Sequence, residues 1–286
     1  MKFADLFRVK SVTEIQHELA AGASAGVTLK RHLGPVSLIL FGVGVLIGAG
    51  IFSLTGMAAG HYAGPGIVLS FIISAIACAL AGLCYAEFAS MVPAAGSAYT
   101  YTYTTLGEYF AWIIGWDLVL EYAAGAATVA TSWSAYLLKF CEHVGVPFPV
   151  QWAASPFTMV AFADGSQAHA YFNLPAALIV GGMSLFLIKG ISESAFLNSI
   201  LVAVKVCIIL SFIGLGWSYM NPANHQPFIP PNTGEFGQFG WSGVFRGAAV
   251  IFFAYIGFDA VSTAAQEARN PRRDMPIAIL GSLFVC

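Results

Sequence analysis

Residues 35–59, PVSLILFGVGVLIGAGIFSLTGMAA, carry no charged side chain and place four glycines, Gly42, Gly44, Gly48 and Gly50, within nine residues around their middle. A helix of this length rises far enough to cross the roughly 30 Å hydrocarbon core of a bilayer. Each glycine weakens a helix interior by about 1 kcal/mol. Two readings follow. Gly44 and Gly48 form GxxxG, the spacing at which membrane helices pack closely. Alternatively the helix is broken at mid-depth, a geometry tolerated only where the unwound backbone is buried in protein or lines a cavity.

Working outward, no Asp, Glu, Lys or Arg occurs from His32 to Ala86. As one helix those 55 residues would run about 80 Å, so the gap must hold two crossings joined by a turn at His61-Tyr62-Ala63-Gly64-Pro65-Gly66. The rest of the 286-residue chain is consistent with this: 58% of residues are hydrophobic, 9% are charged, and mean hydropathy is +0.77. Soluble domains carry about 25% charged residues, so a soluble enzyme and a disordered protein are excluded. A net charge of −2 leaves no basic footprint for nucleic acid.

The pattern predicts an all-α polytopic membrane protein with spans at about 35–59, 67–90, 108–138, 173–188, 194–219 and 242–265. A seventh span begins near Pro276 and is cut off at Cys286, so the chain reads as part of a longer protein. Residues 1–34 form an amphipathic N-terminal lead-in without the apolar core of a signal peptide. Residues 97–107 are too polar to span and suit a short helix or connector, 143–163 read as an outer loop broken by Pro147, Pro149 and Pro156, and 221–241 as a second outer loop. With the N-terminus inside, nine of the twelve Lys and Arg lie on inner segments, Lys139 and Arg246 lie outside, and Lys205 lies within a span. That asymmetry sets the orientation. The five cysteines make no CxxC pair and read as small buried hydrophobes.

Charges inside a membrane are costly and mark function by default. Asp117 and Glu121 are four residues apart, on one face of the third span, where a structural ion pair is the alternative to a functional role. Lys205 is central in the fifth span; burial lowers a lysine pKa, which suits a proton carrier. Asp259 follows a second interrupted stretch, Phe252 to Asp259 (FFAYIGFD). At two such breaks, N–H groups hold an anion and freed carbonyls hold a cation, which matches a zwitterionic amino acid. Gly22-Ala23-Ser24-Ala25-Gly26 fits GxSxG but has no preceding strand. The glycines from Gly42 miss the GxGxxG register, and no metal-spaced His or Cys cluster occurs.

Lys30-Arg31-His32-Leu33-Gly34, the run from Gly42 to Phe52 (GVGVLIGAGIF), the run from Phe252 to Ala265 (FFAYIGFDAVSTAA), Glu267, and the run from Asn270 to Pro276 (NPRRDMP) together closely resemble the amino acid–polyamine–cation (APC) transporters. Within that superfamily they are most similar to the cationic amino acid transporters. The resemblance covers essentially the whole chain and is weakest at 139–172. It implies a twelve-helix, LeuT-type fold built as a five-plus-five inverted repeat plus two helices. This chain would hold the first repeat (35–220), the sixth helix and the start of the seventh (242–286).

The resemblance also implies site roles. Gly48, Ala49 and Gly50 would bind the substrate carboxylate. The carbonyls of Ile47, Phe253 and Ile256 would take its amino group, with Ala254 in the same pocket and Glu121 near it. Lys205 stands where proton-coupled relatives replace a bound sodium with a lysine. Asp117 and Asp259 remain gating or ion-pair candidates. Gln266 departs from a frequent Glu, and the second repeat, which should complete the pocket and gates, is missing. The family label "cationic" does not fix the substrate, since several relatives look adapted to small neutral amino acids.

The expected function is proton-coupled import of amino acids by alternating access, with sodium the less favoured ion. An exchanger and a non-transporting sensor of the same fold remain alternatives. An enzyme would need a nucleophile and base inside a span, and a channel would need a filter or charge ring; neither is visible. No cofactor or metal is expected, and the bilayer is the plasma membrane, or the inner membrane of a bacterium.

Overall fold

The structure, a computed structural model, describes residues 7–15, 17, 21, 31–92, 94–161, 166–188 and 195–286. The GxSxG stretch, Lys2, Lys30 and Lys189 lie outside these residues. The chain is mostly helical and divides into two compact units, Met1–Leu118 with Glu193–Cys286, and Val119–Ser192. Four helical stretches, Gly50–Met91, Glu108–Val144, Ser199–Tyr219 and Gly240–Gln266, are long and apolar enough to cross a membrane. Pro35–Leu46 and Leu174–Leu185 are shorter apolar helices.

In the first unit, α1 (Pro35–Leu46) starts with proline at its first turn, where the missing N–H costs nothing. It stops at Ile47. The chain resumes as a π-helical turn, Gly50–Leu54, then α2 (Thr55–Ala58), a second π-turn, Ala59–Ala63, and a 3-10 turn, Gly64–Gly66. Next comes α3 (Ile67–Met91), which turns a stripe of small residues inward: Ser70, Ser74, Cys78, Gly82, Ala86 and Ala89. Val68, Ile72, Ile76, Leu80 and Leu83 stay exposed on the opposite side. Small residues on the packed face and large ones on the outer face let backbones approach closely within a lipid solvent. The Ser70 hydroxyl donates to Val244 O at 2.8 Å and Ser74 to Ala248 O at 2.6 Å. These bonds fasten α3 to α8 (Gly240–Ile251).

The remaining helices of this unit are α4 (Ser97–Thr105), the start of α5 (Glu108–Val144), α7 (Ala195–Gly216), α9 (Ala260–Thr263) and α10 (Pro271–Val285). Met275, Ala278, Ile279, Ser282 and Leu283 of α10 are buried among α1 and α3. Gly42 of α1 lies so close that a Cβ there would sit 2.6 Å from the Ser282 Cβ. A second apolar cluster of Val43, Ile47 and Val202 joins α1 to α7. At one end, Leu33 pairs with Ala268 as a parallel bridge: the His32 and Leu33 N–H groups donate to Glu267 O, and Arg269 N–H donates to Leu33 O. At the other end, Phe239 N–H donates to Tyr62 O at 2.8 Å, and the Arg246 guanidinium lies 4.4 Å from the Tyr62 ring centroid.

The second unit contains the rest of α5, a small hairpin and α6 (Leu174–Ile188). In the hairpin, β1 (Met159–Ala161) pairs antiparallel with β2 (Gln167–His169). Asn173 caps α6: its Oδ1 accepts from Ala176 N–H at 3.0 Å and from the Ser134 hydroxyl at 2.8 Å.

Several element limits differ from the sequence expectation, each for a local reason. α5 runs to Val144 rather than 138, because Lys139 to Val144 include no glycine or proline to break it. It stops where Gly145 takes φ +77° and Val146 N–H reaches back to Cys141 O at 2.9 Å, a Schellman closure. α10 begins at Pro271, not near Pro276: Asn270 N–H donates to Asp274 Oδ2 at 3.0 Å, which caps the helix five residues earlier. At 97–107, where the sequence allows a short helix or a connector, the chain takes the helix, α4.

Candidate functional site

The break after α1 is built from two changes of backbone state. Ile47 leaves the helical region (φ −75°, ψ 89°), its N–H still donating to Val43 O at 3.0 Å. Ala49 is helical again (φ −58°, ψ −26°), and the π-turn follows. π-turns inside helices recur at functional sites. A restarting helix leaves its first N–H groups without intrahelical acceptors, and a stopping helix leaves its last carbonyls without donors. Here Lys205 takes two of those carbonyls. Its Nζ donates to Gly44 O at 2.9 Å and to Ile47 O at 3.0 Å. Val202 and Val206, on the same helix as Lys205, pack against α1 and hold it there.

The second break has a different construction. α8 gives way to a 3-10 turn, Phe252–Tyr255; Ile256 is extended (φ −57°, ψ 134°), and Gly257 takes φ +107°. That value belongs to the left-handed half of the map, which glycine alone adopts at no steric cost. A Cβ at Gly257 would also lie 2.5 Å from Val45 Cγ1. At Gly50 a Cβ would overlap the Ala254 Cα and sit 2.6 Å from its Cβ. The two breaks therefore cross, with Val45 against Gly257 and Gly50 against Ala254. Within the first run the close approaches are made by Gly42 and Gly50, whereas a Cβ at Gly48 would meet nothing nearer than Val45 O at 3.9 Å.

Beside the crossing is a cavity of about 110 Å³, lined by Leu46, Ile47, Ile51, Phe71, Ile209, Ala254, Tyr255, Val285 and Cys286. Its lining side chains are mainly apolar, and it is somewhat smaller than the roughly 150 Å³ that admits benzene in an engineered protein cavity. Phe71, Ile209 and Tyr255 were not singled out from sequence. Ile209 had a usable signal, because it lies four residues after Lys205 and so shares its helix face. Phe71 had none.

The crossing thus gathers Ile47, Gly48, Ala49, Gly50, Phe253, Ala254, Ile256 and Lys205. Two of the carbonyls considered for a substrate amino group already have donors: Ile47 O accepts from Lys205, and Phe253 O accepts from Ile256 N–H at 3.3 Å. Asp259 is buried at 3% exposure; its carbonyl accepts the Ser262 hydroxyl, whose oxygen also lies at hydrogen-bond distance from the Ser97 hydroxyl. Asp117 is exposed on α5, and Glu121, half-buried on the same helix, belongs to the other compact unit. Gln266 lies in the last 3-10 turn before the Leu33–Ala268 bridge.

The family model for amino acid permeases matches residues 33–286. Among curated proteins, the chain is 46% identical over 281 residues to a branched-chain amino acid permease of Bacillus subtilis, covering 98% of this chain and 56% of that one. It is 42% identical over 283 residues to a methylthioribose transporter of the same organism, covering 99% and 57%. Similarity to human cationic amino acid transporter 4 is 39% over 258 residues, covering 90% and 39%. The chain spans about half the length of the curated relatives it matches. It belongs to the amino acid permease family.

Proposed function

We propose that this member of the amino acid permease family works as a proton-coupled importer of amino acids by alternating access. Residues 35–220 would form the first repeat of a LeuT-type inverted-repeat scaffold, with 242–286 opening the second. The membrane would be the plasma membrane, with the N-terminus inside. The observation that carries this reading is the crossing of two broken helices with a lysine on the freed carbonyls of one of them.

The chemistry divides between the two ends of a zwitterion. The restarting helix after Gly48 points its first N–H groups and positive dipole end at the break, which suits a carboxylate. Carbonyls at Ile47 and Ile256 offer acceptors for the ammonium. The apolar cavity next to Ala254 favours an aliphatic substrate side chain over a charged one. That agrees with the branched-chain name of one relative more than with the cationic name of another.

Lys205 links proton and substrate. As an ammonium it holds Gly44 O and Ile47 O by charge-assisted bonds, stronger than neutral ones, and ties the end of α1 to α7. After losing its proton it grips those carbonyls more weakly, and a substrate ammonium competes for Ile47 O. Proton release and occupancy then bias the same backbone between two arrangements, which is what coupling requires.

Uptake of radiolabelled leucine by proteoliposomes of the full-length protein tests this reading. It should rise with an inward proton gradient and be competed by aliphatic amino acids more than by lysine, arginine or methylthioribose. Uptake indifferent to the gradient removes the coupling claim. Competition by methylthioribose alone removes the amino acid.

A further inference from the structure

On the end of the first unit that carries the Leu33–Ala268 bridge, four arginines converge on one cavity of about 480 Å³. Arg31, Arg269, Arg272 and Arg273 line it together with Ser90 and Asn270. The volume falls within the range of ligand pockets, roughly 300–1,000 Å³. No carboxylate lines it. Among the described residues none of the four guanidinium groups is paired with an acid. Glu87, one turn back along α3, lies outside the lining, and Asp274 is buried against the Asn270 N–H. Arg269 is held in place, its Nε donating to His32 O at 3.1 Å. The cavity also sits at the N-terminal end of α10, fifteen residues long, whose dipole adds positive potential.

Four like charges in one concavity repel each other until an anion joins them. Guanidinium forks match phosphate oxygens in pairs. The position narrows the source. Met91, 57% exposed, lines the cavity, and Glu87, also exposed, separates it from the apolar outer ridge of α3 that runs from Val68 through Leu83. The cavity thus lies about two turns beyond the end of that apolar ridge, past a charged residue, which is where headgroups would meet a membrane-spanning α3. Basic pockets at that depth bind anionic headgroups.

We propose that Arg31, Arg269, Arg272 and Arg273 form a phosphate site that holds the headgroup of an anionic lipid. The claim is independent of transport, and its test reads binding alone. The delipidated full-length protein is titrated in neutral detergent with phosphatidylglycerol, phosphatidylcholine or inorganic phosphate, and the melting temperature is followed. Phosphatidylglycerol should stabilise it saturably and phosphatidylcholine should not. Arg272 and Arg273 are exposed, and R272Q/R273Q leaves Arg31 and Arg269 to keep orientation. It should weaken the apparent affinity for phosphatidylglycerol roughly thirtyfold, about fivefold per arginine. R272K/R273K, keeping charge without the fork, should fall between. Equal stabilisation by both lipids, or unchanged affinity in R272Q/R273Q, overturns the site. Inorganic phosphate acting where phosphatidylglycerol adds nothing beyond phosphatidylcholine overturns the lipid assignment.

Discussion

The two helix breaks look alike in sequence, each a glycine-containing interruption of an apolar run, yet they are held open by different means. The break at Ile47–Ala49 contains no residue in the left-handed region; two of its freed carbonyls accept from Lys205 Nζ. The break at Phe252–Ala260 is fixed by the backbone itself, through Gly257 at φ +107° pressed against Val45. One opening depends on a titratable side chain, and under the proposed coupling it would respond to a proton. The other is built into the chain and persists. In the proposed function the second break would serve as the fixed reference and the first as the element that changes.

The sharpest way to break this contrast is Lys205→Ala. Uptake driven by a pH gradient should disappear while substrate binding in detergent persists, because only the switchable break loses its partner. Gradient-dependent uptake surviving that substitution would show that the first break is as passive as the second. Gly257→Ala should do the opposite. Left-handed strain costs about 1–3 kcal/mol, so the protein should melt earlier, while whatever uptake remains keeps its response to pH. A smaller effect is expected at the cavity beside the crossing. Ile209→Ala should shift competition toward bulkier aliphatic amino acids by about tenfold or more per added methylene, with no change in pH response. The least effect belongs to Ser74→Ala, which removes the bond to Ala248 O. Interhelical bonds of this sort average about 0.6 kcal/mol, so the melting temperature should fall only slightly and transport should hold.

Much of the helical layout could be read from residues, because an uncharged stretch of 55 residues admits few solutions in a bilayer. The positions of the glycine clusters and of Lys205 were equally legible, being costly in a helix or a membrane. What sequence could not supply was which atoms meet. Nothing in the pattern of Gly42, Gly44, Gly48 and Gly50 says that Gly42 and Gly50 make the close approaches, against Ser282 and Ala254. That depends on where two distant helices cross. α10 starts at Pro271, five residues before the expected span near Pro276, because Asp274 accepts the Asn270 N–H and allows a charged first turn. The arginines at 269, 272 and 273 were counted for orientation; their convergence with Arg31 on one cavity needed the fold.

The Leu33–Ala268 bridge and the Phe239–Tyr62 bond have a mechanical consequence. Together with the Gly50–Ala254 crossing they fasten two interrupted rods at both ends and at the middle. Such a closed frame cannot splay like a pair of scissors. Its remaining freedom is bending at the interruptions, and displacement imposed at one end is delivered to the other with little slack.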